Sequence, residues 1–249
     1  MSFINEGRFV MPDWQVPKSV NAVITTRRGG VSAPPYDALN VGTHVGDLAL
    51  AVRENRRLVT ATLSLPSEPH WLAQVHSARV VEPGQFDSQD PPEADAIYTC
   101  IPRQVLAIMT ADCLPLLLAN SEGTEIAAAH CGWRGGAAGI VEQTLSKFKA
   151  PREQIHAYLG PAIGPNAFEV GDDVRSAMLL LNKNLASCFT PFAAKWLLDI
   201  YALVTTELSR LGVTSVAGGN FCTVSEPERF FSYRRDGITG RMASLIWIK

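Results

Sequence analysis

Cys113 and His130 are the residues of this chain whose types and spacing best suit chemistry. A thiol and an imidazole held together can share one metal ion or one proton. The segment between them reads as two apolar runs around Asn120-Ser121-Glu122-Gly123, which carries turn chemistry, with Gly123 able to take positive φ. A turn at those four residues pairs Ala119 with Thr124, and the same register sets Cys113 opposite His130. Directly opposed residues have Cβ atoms about 4.5–5.5 Å apart. A bulge at Gly123 would shift that register. His76, in the run 70–82, joins them only if the fold brings it there, because a lone strand histidine usually serves as a hydrogen-bonded structural residue.

Two imidazoles and a thiolate suit borderline-soft zinc, and three protein ligands with an open fourth position describe a catalytic site rather than a structural one. Water at that position is acidified to hydroxide near neutral pH. Asp112, beside the thiolate, could orient a histidine or take a proton. The same residues also work without metal, Cys113 as nucleophile and His130 as its base in acyl transfer. Cys131 falls on the opposite strand face and reads as core. Polar groups for a ligand come from two further stretches. The loop that follows a strand at 20–26 carries Arg27, Asn40, His44 and Asp47, although its Asn and Asp could equally serve turn amides. The run 131–136, entering a helix, offers backbone amides and Arg134 to a phosphate or carboxylate. It lacks the GxxxxGK[ST] pattern of a P-loop. Arg234 and Arg235 read as one surface arginine and one ion-paired arginine, or else as a substrate clamp.

The elements that must position these groups are strands at 20–26, 70–82, 104–110, 114–119, 124–130, 154–159 and 213–217. Helical spacing covers 47–63, 136–148 and 197–211, the last closed by Gly212. Another helix follows the acidic turn at 168–173, and 230–233 with 241–248 reads as a terminal hairpin. Residues 83–93 read as a surface insertion. The lack of regular βα alternation favours an α+β single domain over 1–249, with mixed β-sheets flanked by helices. Apolar content of 47% with 18% charged residues describes an ordinary globular chain. A net charge of −2 gives no footprint for nucleic acid, and no basic cluster or apolar run points to a membrane. The first residues lack a signal-peptide pattern, and five cysteines without CxxC spacing read as reduced thiols of a cytoplasmic protein.

The strings QVHSARV, TADCLPLLLAN, AAAHCGWRGGAAGIVE, LGPAIGPNAFEVGDDV and FFSYRRDGITGRMASLIW closely resemble the YfiH-like, or laccase-domain, family. TRRGGVSAPPYDALNVGTHVGD and ENRRL resemble its N-terminal part, so the likeness covers nearly the whole chain. The resemblance implies an α+β fold likened to cysteine-hydrolase-type toxin domains, and a metal site at His76, Cys113 and His130, usually taken as zinc. It implies phosphorolysis of adenosine, inosine, guanosine and methylthioadenosine, and deamination of adenosine. On that reading Cys113, His130 and Asp112 are catalytic, Arg27, Asn40 and Arg134 contact nucleoside and phosphate, and the partners are small molecules. The family is also described as copper polyphenol oxidases and as editors of peptidoglycan precursors that remove a wrongly added serine. A non-enzymatic metal-binding module is the remaining alternative. Two departures stand out: Cys131 where the family often has Ala, and Asn166-Ala167 where it often has a Cys pair.

Overall fold

The computed structural model describes residues 7–84 and 90–249. They form three sheets with helices on the outside, the mixed α+β architecture that the sequence pattern predicts. The largest sheet has six strands, in the order Ser215–Gly218, Ile155–Leu159, Leu114–Asn120, Ile126–Cys131, Ala96–Thr99 and Val80–Val81. Its two outer pairs are parallel and its inner pairs antiparallel. A four-stranded antiparallel sheet runs Phe9–Val10, Val20–Thr25, Met242–Ile248 and Val105–Thr110. A small antiparallel sheet joins Phe189–Phe192, Lys195–Leu198 and Glu169–Val170.

Side-chain alternation along the central strand sorts the core into layers. Leu116 and Leu118 face one way, into a core with Ile140, Met178, Leu203 and Leu208 from the helices. Leu117 and Ala119 face the other way, against Ile24, Ile108 and Ile246 of the four-stranded sheet. Burial on both faces explains why this strand is apolar throughout. The outer face of the four-stranded sheet is covered by helix Ala49–Thr62 through Val59. The site-bearing strands therefore lie in the interior of a four-layer stack. Among the described residues, no helix is long and apolar enough to cross a membrane.

Several local expectations are corrected. The hairpin register is shifted by two residues: Ala119 faces Ile126, and His130 faces Pro115 rather than Cys113. The cause is Asn120, whose Oδ1 accepts from the amides of Thr124 (2.8 Å) and Glu125 (3.1 Å), so the loop is 121–124 with Gly123 at φ +69. An even shift leaves every side chain on its expected face. The strands 105–110 and 114–120 are not neighbours; the chain passes from one sheet to the other through Asp112, at φ +97.

The run 70–82 is irregular apart from Val80–Val81 and isolated bridges, because the Asp95 carboxylate takes the amides of Val75, His76 and Ser77 that a ladder would have used. The helix expected over 136–148 is two short ones, Trp133–Ala137 and Ile140–Leu145, parted by Gly139 at φ +85. Residues 195–198 form a strand, so the following helix runs from Ile200 to Arg210, capped by Asp199. The terminal hairpin is absent: Tyr233–Asp236 is a helical turn capped by Ser232, and Met242–Ile248 pairs with 20–25 and 105–110 instead. The expected insertion lies partly outside the described residues, at 85–89.

Candidate functional site

The fold brings His76, Cys113 and His130 together, with their ligand atoms all within 4.8 Å of one another. Each comes from a different setting: an irregular loop, the crossover between sheets, and the end of an inner strand. The two imidazoles meet edge to face at 4.8 Å between centroids. His76 holds a left-handed backbone, φ +61, which a non-glycine residue keeps only where its surroundings impose it.

Asp95 imposes it. This fully buried carboxylate accepts from the amides of Val75 (3.2 Å), His76 (3.0 Å) and Ser77 (2.6 Å), and from the Ser77 hydroxyl (2.9 Å). It also meets His130 Nδ1 at 2.8 Å, leaving Nε2 to face the cluster. Burial would raise the Asp95 pKa, but the hydrogen bonds from His130 and Ser77 outweigh that and hold it at about 2. Asp112, expected to orient a histidine or take a proton, lines the cavity beside Cys113 and makes its side-chain hydrogen bonds to the 223–234 region rather than to a histidine. Its Oδ1 accepts from Thr223 Oγ1 and its Oδ2 from the Arg234 amide, both at 2.6 Å, so it anchors the 233–236 turn.

Burial disfavours ionisation of both Cys113 and His130, yet each is shifted toward its charged form by the other. The facing imidazole and the hydrogen bonds from His130 and His76 lower the thiol, while the thiolate and Asp95 raise the imidazole. Cys131 goes the opposite way, pushed up by burial in the helix-side core, as its expected core role requires. None of the five cysteines is in a disulfide.

The donor set fits a metal ion. Tetrahedral zinc with bonds of about 2.0–2.3 Å needs ligands about 3.5 Å apart, within an ångström or so of the present spread. The neighbouring backbone leaves room for it. A Cβ on Gly132 would stand 3.0 Å from Cys113 Sγ and 3.2 Å from His76 Cδ2, so a side chain there would press on both ligands by a few tenths of an ångström.

The cluster opens into a cavity of about 520 Å³, in the size range of small-molecule sites. Trp133, Phe168 and Tyr233 give its walls aromatic faces, and Arg134, Arg234, Arg241 and His44 line it with basic groups. Arg134 stacks on Trp133 at 4.4 Å, and Arg234 lies over Phe168 at 5.4 Å. Arg235 is the ion-paired member of its pair, bound to Asp236.

Arg27 and Asn40, also expected at the substrate, are not on this wall. Arg27 binds Asp37 and the Pro227 carbonyl and lies over Phe231. Asn40 is fully buried, tied to Asp47 Oδ2 at 2.9 Å and to the amides of Gly42 and Arg241. Sequence reasoning missed Asp95 and Arg241. The signal for Asp95 was an acid directly before an apolar strand, the position that the 96–99 pairing sets beside His130.

Residues 21–249 match the family described as multi-copper polyphenol oxidoreductase laccase. The Escherichia coli protein named purine nucleoside phosphorylase YfiH is 49% identical over 242 residues, covering 97% of this chain and 99% of that one. A purine nucleoside phosphorylase of Haemophilus influenzae is 47% identical over 243 residues, covering 96% and 99%. The crystal structure of a Neisseria meningitidis protein superposes with a TM-score of 0.93 at 47% identity, over 97% of this chain and 99% of that one. With likeness of this extent in both sequence and fold, the chain belongs to the YfiH-like, multi-copper polyphenol oxidoreductase laccase family.

Proposed function

We propose that this protein is a zinc-dependent purine nucleoside phosphorylase. The observation that carries the reading is the cavity itself, where a metal-ligand cluster faces aromatic walls and basic groups in one space. The names of relatives at 47–49% identity over almost the whole chain support it. In phosphorolysis a phosphate oxygen bonds to the ribose C1′ as the C1′–N9 bond breaks. The bonding pair leaves with the purine, and the proton of HPO₄²⁻ ends on the base.

The chain's residues have separable tasks in that reaction. Phe168 and Tyr233 present flat apolar faces suited to a purine ring. Arg134 and Arg234 keep the mouth positive, which favours an anionic co-substrate. Asp112 holds the 233–236 turn, and with it Tyr233 and Arg234, against the cavity. His76, Cys113 and His130 would hold the metal, which when bound supplies Lewis-acid polarisation of an oxygen. The same donor set favours adenosine deamination as a second activity of the cavity. A multicopper oxidase reading lacks ligands: it needs separate copper sites, and the chain has five histidines, two of them in this cluster.

The test is phosphate-dependent release of hypoxanthine from inosine by protein of measured zinc content, beside Cys113→Ala. Turnover by the wild type with zinc near one per chain, and a loss of about 100-fold or more in the variant, is the expected result. No turnover by the zinc-loaded wild type would refute the reading. Release of a free amino acid from an aminoacyl peptidoglycan precursor would then replace it with the amidase alternative.

A further inference from the structure

Two arginines beside the cavity lack what a half-buried cation ordinarily has. Among the described residues, neither Arg241 nor Arg56 is paired with a carboxylate. Arg241 lines the cavity, and its guanidinium spends Nη1 alone on the carbonyls of Thr239 (3.1 Å) and Gly240 (3.0 Å). Arg56 donates Nε to the Val41 carbonyl at 3.0 Å and Nη2 to the sulfur of Met109 at 3.8 Å, over the ring of Trp71. The Cys113 thiolate and the Asp112 carboxylate act on Arg241 only from a distance, neither in ion-pair contact, so part of its guanidinium is left open to the cavity for an anion.

Both arginines are built against one backbone segment. The Val41 amide donates to the Arg241 carbonyl, and the Val41 carbonyl takes Arg56. Asn40 Oδ1 fixes the Arg241 amide at 2.9 Å, and Asn40 is itself locked by Asp47, which also binds Ser32. A Cβ at Gly42 would stand 2.8 Å from Arg241 Cγ, so glycine there lets the arginine stem pass. Two residues beyond Gly42, the same segment carries His44 to the cavity wall. The loop's buried polar residues are thus positioning residues for Arg241 rather than ligand contacts.

We propose that Arg241 and His44 form a subsite for a tetrahedral oxyanion, orthophosphate, inside the cavity and beside the His76–Cys113–His130 cluster, with Arg56 adding positive field from behind. The identification of the anion as the phosphate co-substrate rests on the phosphorylase reading; the existence of the subsite does not. Both arginines remain charged at neutral pH, since burial lowers Arg241 and brings Arg56 only to about 10. The His44 imidazole is lowered by desolvation against the wall and then by the charges of Arg241, Arg56, His130 and His76, which gather positive charge on this side of the cavity.

The experiment is orthophosphate binding by titration calorimetry and phosphate KM in inosine phosphorolysis, for zinc-loaded wild type, Arg241→Gln and Arg241→Lys. Arg241→Gln should weaken phosphate binding and raise the phosphate KM about tenfold to a hundredfold, with inosine KM within about twofold. Arg241→Lys keeps the charge without the fork and should fall between. Matched circular dichroism and thermal unfolding establish that the variants are folded, and His44→Gln offers a second route if Arg241→Gln is not. Unchanged phosphate binding in a folded Arg241→Gln, or in a folded His44→Gln if Arg241→Gln does not fold, overturns the subsite. Arg241-dependent binding by a protein that turns over no nucleoside keeps the subsite and refutes the phosphorylase reading. Arg241-dependent binding of inosine monophosphate without orthophosphate binding keeps an oxyanion site and overturns orthophosphate as its occupant.

Discussion

Replacing Asp95 with Asn removes one charge and turns one acceptor into a donor in a place with no room for either change. Oδ2 receives the amides of Val75 and Ser77 and the Ser77 hydroxyl, while Oδ1 receives the His76 amide and His130 Nδ1. If the new amide nitrogen takes the Oδ2 position, it faces two backbone N–H groups, one of them at 2.6 Å. In the Oδ1 position it faces the His76 amide and drives His130 to the tautomer whose Nε2 carries a proton, which cannot ligate a metal. Leaving such a buried group mispaired costs about 3–5 kcal/mol. Loss of the carboxylate behind a ligating histidine weakens metal binding about 10–100-fold, or roughly 1.4–2.7 kcal/mol. Against a total stability of about 5–15 kcal/mol the variant should remain folded. Urea unfolding in the presence of chelator gives the first quantity, and zinc titration against a competing chromophore gives the second. A folded Asp95→Asn protein with less than about 1 kcal/mol lost and zinc affinity within about twofold of wild type would refute the role assigned to Asp95.

Gly132→Ala should weaken zinc binding about tenfold or more while changing stability by under about 1 kcal/mol, because the new methyl meets Cys113 Sγ and His76 Cδ2 and little else. Undiminished zinc affinity would show that the cluster does not need that space. Tyr98 donates to Glu125 at 2.5 Å, and burial first, then Glu125, raises its pKa above the ordinary 10. The folded state therefore holds a proton that the unfolded chain loses, so this stability is complete below about pH 10 and declines as pH rises further. Tyr98→Phe should lose about 1.5–3 kcal/mol at pH 7 and flatten the alkaline decline relative to wild type, read by urea unfolding from pH 8 to 11. Parallel curves would sink that assignment.

What was legible in the sequence was chemistry carried by residue type and structure carried by period. Cys113 and His130 could be paired because a thiol and an imidazole flank one hairpin, and the pairing survived a wrong register because the error was even. The apolar strand 114–120 announced itself for the same reason that it is buried on both faces. What stayed hidden depended on partners distant in the chain. Asp95 lies 35 residues before the histidine it holds, and its effect on 75–77 erased a strand that propensity favoured. Arg241 follows an apparent turn, yet its place is set by Asn40, 201 residues earlier. The strands 105–110 and 114–120 look like neighbours, and only the left-handed Asp112 between them sends each into its own sheet.

The way Asp95 gathers the 75–77 amides and His130 has a consequence for how the protein acquires its ion. Two of the three donors, the His76 loop and the His130 ring, are already held by a carboxylate that belongs to the fold, so the ion has little more to impose than a contraction of about an ångström. Loading and folding become separate events, unlike the small zinc domains in which they are one. An ion admitted to a finished pocket is chosen by affinity order and by local supply, and copper outranks zinc at such donors. The metal recovered with the purified protein would then report the growth medium as much as the reaction.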